Sequence, residues 1–189
     1  MSQTDMATHF LTSEEFNIGS RFAAGLYVAL LNRDAEYPGW LLQREVLATT
    51  KRPIGDEQFS LVYNFLLTPE FNLQHPTMTP EEFVRLLYAQ VLLRTPAQDE
   101  VAFHIAHSGD LSKPGLPRAR LARDFLNSEE FRIGVGPRLT ASLIYYVLWQ
   151  REPTSAERVA LVQRLSNGAS VRSTVNEILT SAAFLDLVR

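Results

Sequence analysis

The chain has 189 residues, 46% hydrophobic and 21% charged, with 18 basic and 21 acidic side chains and a formal net charge of −3. That length supports a hydrophobic core, and the slightly acidic balance argues against a chain built to hold nucleic acid. The absence of cysteine excludes disulfides, thiolate metal sites and cysteine nucleophiles.

No stretch approaches the ~18 consecutive apolar residues of a membrane span, so no membrane insertion is expected. Met1 to Thr8 carries no basic, apolar export signal, which reads as cytoplasmic and leaves export through a C-terminal signal or within a longer chain open. Charge is uneven along the chain. Residues 132–189 hold seven arginines and four acids, a balance of +3, while residues 1–131 hold 11 basic and 17 acidic residues, a balance of −6. Such asymmetry suits contact with a second copy or a charged protein, and a solvated surface accounts for it as well.

In chain order, the first readable segment is Phe10–Phe16, Phe-Leu-Thr-Ser-Glu-Glu-Phe. Serine followed by acids starts a helical turn, and the phenylalanines demand burial. Residues 1–19 are therefore expected as the helical remnant of a repeat. That remnant is expected to dock on the unit that follows, with Phe10 and Phe16 near Phe22 and Leu26.

A first unit spans 20–75. Phe22, Leu26, Tyr27 and Leu30 lie at offsets of four, five and eight residues, one broad helical face. This helix ends near Arg33, before the punctuated stretch Asp34-Ala35-Glu36-Tyr37-Pro38-Gly39. A second helix is predicted over Trp40–Ala48, and a third carries Phe59, Val62 and Leu66 into a worn closing signature, Phe65–Phe71.

The second unit, 79–133, opens on Thr79-Pro80-Glu81-Glu82, a hydroxyl cap with proline and acids in the first turn. Phe83, Leu87, Tyr88 and Val91 repeat the apolar face, Arg94 ends it, Ala97–His107 forms the second helix, and Leu121 and Phe125 lead to Phe125–Phe131. The third unit, 137–189, follows suit with Thr140, Ile144, Tyr145 and Leu148, then Arg151, a helix over Ser155–Leu165, and Val171, Val175 and Ile178 before Ile178–Phe184.

Each unit thus places an arginine six residues after a tyrosine, and the closing phenylalanines at 16, 71, 131 and 184 are separated by 55, 60 and 53 residues. Repetition of that length marks a supersecondary unit that buries its face against other copies. No stretch reads as a strand. The expected fold is all-α, with three tandem three-helix repeat units forming an array or bundle.

Tyr-x5-Arg-x-Pro, a second helix, a glycine turn and a closing Ser-x-Glu-Phe resemble the bacterial family labelled domain of unknown function 4214. More distantly, the pattern is similar to the phycobilisome linker domain. Tyr88, Arg94, Pro96, Ser128, Glu130 and Phe131 carry the match, and residues 20–71 and 138–184 follow it more loosely. Unit one lacks the proline after Arg33, unit two lacks a glycine at its second-helix start, and unit three has Ala183 in place of the glutamate. The resemblance implies small helical units in secreted or surface-associated bacterial proteins, with no established catalysis.

Candidate functional residues are few. Arg33, Arg94 and Arg151 could each bind a carboxylate, phosphate or sugar. The simpler account is a helix-terminal arginine that holds orphan carbonyls or the acidic tail of its own unit. Tyr37 and Trp40, flanking Pro38-Gly39, could form a carbohydrate-stacking platform or fold back over the core. Arg118 and Arg120, with Arg123, form a basic cluster for an anionic partner or an ion-paired helix face. His104 and His107 sit three apart, but a zinc site needs a third protein ligand and no H-E-x-x-H pattern is present.

No catalytic, metal or cofactor constellation stands out, so no enzyme is expected. The expected role is a non-catalytic bacterial helical scaffold or protein-interaction module, with a protein partner or self-association. A glycan-binding module of a bacterial surface system is the alternative, and a metal hydrolase at His104 and His107 is a weaker third.

Overall fold

The computed structural model describes residues 1–187, and among these every regular element is helical. In chain order the helices are α1 (Gln3–Thr12), α2 (Glu14–Phe16), α3 (Phe22–Leu31), α4 (Tyr37–Thr49), α5 (Ile54–Leu66), α6 (Pro69–Gln74) and α7 (Pro80–Gln90). There follow α8 (Gln98–His107), α9 (Leu116–Leu126), α10 (Glu129–Gly134), α11 (Gly136–Leu148), α12 (Ser155–Ser166), α13 (Val171–Leu179) and α14 (Ala182–Leu187). The expected all-α class is observed. α4 starts at Tyr37, ahead of Trp40, because Pro38 fits its first turn.

The core forms around α3. Its sequence, Phe-Ala-Ala-Gly-Leu-Tyr-Val-Ala-Leu-Leu, is buried at all ten positions. A helix apolar all round has no face for water and must be enclosed. It is enclosed by α4, α5, α6, α7, α9 and α11. Gly25 permits one of the closest approaches: a Cβ there would lie 3.0 Å from Cζ of Phe131, the closing phenylalanine carried by α10.

Between α2 and α3 the chain runs through a π-helical turn, Asn17–Arg21. The extra residue breaks the regular ladder and turns carbonyls outward. Two of them are taken up by neighbours, Ile18 O by Gln58 Nε2 at 2.8 Å and Ser20 O by Trp40 Nε1 at 2.9 Å.

Contacts cross the boundaries read from the repeat. α5 lies along α9, joining the first two units, and α1 lies along α13, near the other end of the chain. The N-terminal segment is helical and Phe16 is buried, as expected. Its first helix does not dock beside Phe22 and Leu26, however. Thr4 Oγ1 donates to Asn176 Oδ1 at 3.0 Å, Arg172 pairs with Asp5 at 2.8 Å, and Phe10 stays 43% exposed with its ring edge-on to Phe16. The physical reason is α13, whose apolar residues Val171, Val175 and Ile178 need a cover that α11 and α12 do not supply.

Gly25→Val would push a branched side chain into Phe131 and Leu126. We expect it to lower stability by about 1–3 kcal/mol, read as a fall in the urea midpoint. An unchanged midpoint would mean that α10 does not pack this closely on α3.

Candidate functional site

Each arginine of the repeat is placed by the residue before it. Asn32, Leu93 and Gln150 adopt left-handed backbone at φ 52°, 56° and 52°, and each directly precedes Arg33, Arg94 or Arg151. That turn ends the helix and swings the arginine back along it. In the first two units the arginine N–H then returns to the tyrosine carbonyl, Arg33 to Tyr27 at 3.3 Å and Arg94 to Tyr88 at 3.1 Å. The guanidinium carbons lie 5.1, 4.6 and 5.1 Å from the ring centres of Tyr27, Tyr88 and Tyr145, within cation–π range.

Carboxylates complete the arrangement. Arg94 donates from Nη1 and Nη2 to Glu100 at 2.8 and 2.7 Å, and from Nε to Glu130 at 2.6 Å. Arg33 binds Glu70 through Nε and Nη2 at 2.6 and 2.9 Å and Glu36 through Nη1 at 2.7 Å. Arg151 forks onto Glu157 at 2.8 Å on both arms. With Ala183 where a closing glutamate would stand, it lies instead 5.3 Å from the Trp149 ring, against which Phe184 packs edge-on at 5.4 Å.

The closing signature is explained residue by residue. Ser13, Thr68, Ser128 and Ser181 each donate their hydroxyl to the carbonyl three residues back, at 2.9, 2.7, 2.7 and 2.7 Å. Each also accepts the N–H of the phenylalanine three residues ahead, at 3.2, 3.2, 3.1 and 3.2 Å. One hydroxyl thus ends a helix and starts the next. The first phenylalanine of the signature meets the tyrosine edge-on, Phe65 to Tyr27 at 5.0 Å and Phe125 to Tyr88 at 5.1 Å.

Other candidates move inward. Trp40 is 3% exposed, its ring 4.9 Å from that of Tyr146, and Tyr37 is half-buried beside both. The open stacking platform is therefore absent, because the indole N–H is drawn inside by the Ser20 carbonyl. Arg118 is also buried. It donates to the Leu111 carbonyl at 2.9 Å and to the Met78 carbonyl, and lies over Phe83, so it ties two loops together. Of the basic cluster, Arg123 pairs with Asp124 at 2.7 Å, and Arg120 is exposed without a partner among the described residues.

His104 and His107 diverge. His104 Nε2 meets the Tyr88 hydroxyl at 3.2 Å, and burial lowers its pKa. His107 stacks on Phe103 at 4.4 Å. Among the described residues no three histidine or acidic side chains gather as a metal ion would require, and no helix is long and apolar enough to cross a membrane.

Two features escaped the sequence reading. Asp34, its side chain 8% exposed, is held by Arg138 at 2.9 Å and by Arg158, while Tyr146 donates to the neighbouring Ala35 carbonyl. These partners lie more than a hundred residues away, so no local spacing signals them. The second is a groove along the seam of α8 and α9. Two adjoining cavities of about 520 and 430 Å³ share His107, Ser108, Leu121 and Asp124. Phe103 and Leu116 stand at its rim, 58% and 56% exposed. An apolar position in α8 was visible, but exposure depends on what packs above it.

Two predictions follow from the networks. Arg94 and the Ala97 N–H hold Glu100 at a pKa of about 2, and Arg151 does the same for Glu157, against an ordinary 4.5. A carboxyl held lower in the folded chain stabilises fully above its unfolded value and loses that contribution as pH falls through the folded one. Acid unfolding should therefore show stability declining between 4.5 and about 2. Glu100→Gln with Glu157→Gln should flatten that slope, and an unaltered slope would refute the pairing. Separately, Leu93 at positive φ suffers a steric cost that glycine lacks. Leu93→Gly should raise the urea midpoint, whereas Asn32→Gly, replacing a residue tolerant of that region, should change it little.

A family model described as Domain of unknown function (DUF4214) matches residues 62–135. The matched stretch runs from within α5 to just past α10, and so contains the whole Tyr88–Arg94–Glu100–Glu130 network and the α8–α9 groove. No curated protein and no solved structure matches the chain. Over residues 62–135 the chain is similar to the Domain of unknown function (DUF4214) family.

Proposed function

We propose that this chain is a non-catalytic helical scaffold or protein-interaction module. The observation that carries the reading is the groove between α8 and α9, where Phe103 and Leu116 are exposed on a frame of packed helices. Apolar side chains gathered beside a concave seam are what a protein partner covers. The repeated arginines support the same reading from the other side, because their donors are engaged within the chain and not offered to a ligand. The resemblance to bacterial surface-associated proteins suggests a secreted or cell-surface setting.

The glycan alternative needs Tyr37 and Trp40 as an open aromatic pair beside Arg33, Arg94 and Arg151, and with Trp40 in the core and those arginines ion-paired this geometry does not favour it. The interaction reading predicts association. Sedimentation across a concentration series, paired with capture on the immobilised intact chain from the cells that express it, should give either self-association or a retained protein. A strict monomer that retains nothing would sink the reading, and stoichiometric metal surviving chelation would favour hydrolytic chemistry at His104 and His107 instead.

A further inference from the structure

We propose that the α8–α9 groove is a docking site for an amphipathic, acidic helix of a partner protein, an inference that rests on the interaction reading above. Three observations carry it: what lines the groove, what charge it leaves unanswered, and how it differs from its counterpart in the same chain.

The floor of the groove is Leu121 and Phe125, and its rims are Phe103, backed by the His107 ring, and Leu116. Both walls are helices whose backbone groups already bond within the helix. A partner entering here finds side chains and no free edge, so it must satisfy its own backbone hydrogen bonds. A helix does this, and successive apolar residues on one face would reach Phe103 and Leu116.

Charge sets the partner's sign. The carboxylates that border the groove are held, Glu130 by Arg94 at 2.6 Å and Asp124 by Arg123 at 2.7 Å. Arg120 lines the same groove and has no partner among the described residues. The unanswered charge is therefore positive, and a carboxylate on the incoming helix would complete it.

The corresponding groove between α12 and α13 serves as an internal control. Counting from the framework glutamates Glu100 and Glu157, Phe103 corresponds to Ala160 and His107 to Arg164. Counting back from the closing phenylalanines Phe131 and Phe184, Asp124 corresponds to Glu177. Across that seam Arg164 pairs with Glu177, and among the described residues no aromatic lines the cavity of about 580 Å³ beside Arg164. The same fold thus spans one seam with an ion pair and lines the other with aromatic rings, which makes the aromatic groove a property of these particular side chains.

The test uses the intact chain and a fluorescein-labelled amphipathic peptide of about 15 residues, with leucines four apart and glutamates flanking them. A control peptide carries lysines in place of the glutamates. Anisotropy titrations should show the acidic peptide binding and the lysine peptide weaker by about tenfold or more. Phe103→Ala and Arg120→Glu, both at exposed positions, should each weaken the acidic peptide by about tenfold with unchanged circular dichroism, while Val159→Ala on α12 should have no effect. Failure of the acidic peptide to bind, equal binding of the two peptides, or indifference to both groove variants would overturn the proposal. So would a dimer lost on Phe103→Ala, since that would make a second copy the occupant. If the chain still captures a protein while the groove variants change nothing, this site is wrong and the interaction reading stands.

Discussion

The structure is organised by the need to enclose α3. Ten consecutive residues, none charged and only Tyr27 bearing a polar side-chain atom, cannot face water without large cost. Six other helices surround them, and each approach requires its own accommodation: a glycine at Gly25 for the Phe131 ring, and a π-helical turn ahead of Phe22 that lends carbonyls to Trp40 and Gln58. A surface helix needs one apolar stripe opposite it. A helix buried on every side ties every neighbour's position to the others.

Around that centre, the tyrosine–arginine–glutamate arrangement sets how each first helix hands over to the second. The left-handed residue turns the chain, the guanidinium lies over the tyrosine ring, and a carboxylate from the start of the next helix locks the fork. The Ala97 and Thr154 N–H groups donate to these same carboxylates, at 2.8 and 2.7 Å, so one glutamate both caps a helix and anchors the arginine. Where the third unit lacks the closing glutamate, Trp149 and Phe184 supply apolar packing. The side chains involved are partly exposed, so each pair contributes modestly. Their value lies more in fixing geometry than in free energy.

Tertiary contacts then override the order of the repeat. Asp34 in the first unit bridges Arg138 and Arg158 in the third, and α1 covers α13. The first unit is therefore held from both sides, by α9 through α5 and by α11 and α12 through the Asp34 loop. Against this framework, the α8–α9 seam is a place where aromatic and apolar side chains remain uncovered and, among the described residues, a cation is unanswered.

What the sequence by itself determined is local. Apolar spacing set the helical class, prolines and hydroxyl-acid caps set where helices begin, and the recurring Tyr-x5-Arg and Ser-Glu-Glu-Phe signatures announced arginines and cap hydroxyls whose partners lie within their own unit. These are legible because their partners lie close along the chain or recur at constant spacing, as Arg94 does with Glu100. Only the tertiary structure decided which arginine is buried, Arg118 and not Arg120, that Trp40 faces the core, that α1 seeks α13, and that Phe103 stays outside. Burial is a property of what packs above a side chain. Partners more than a hundred residues distant, such as Asp34 with Arg138 and Arg158, leave no periodic trace in the sequence.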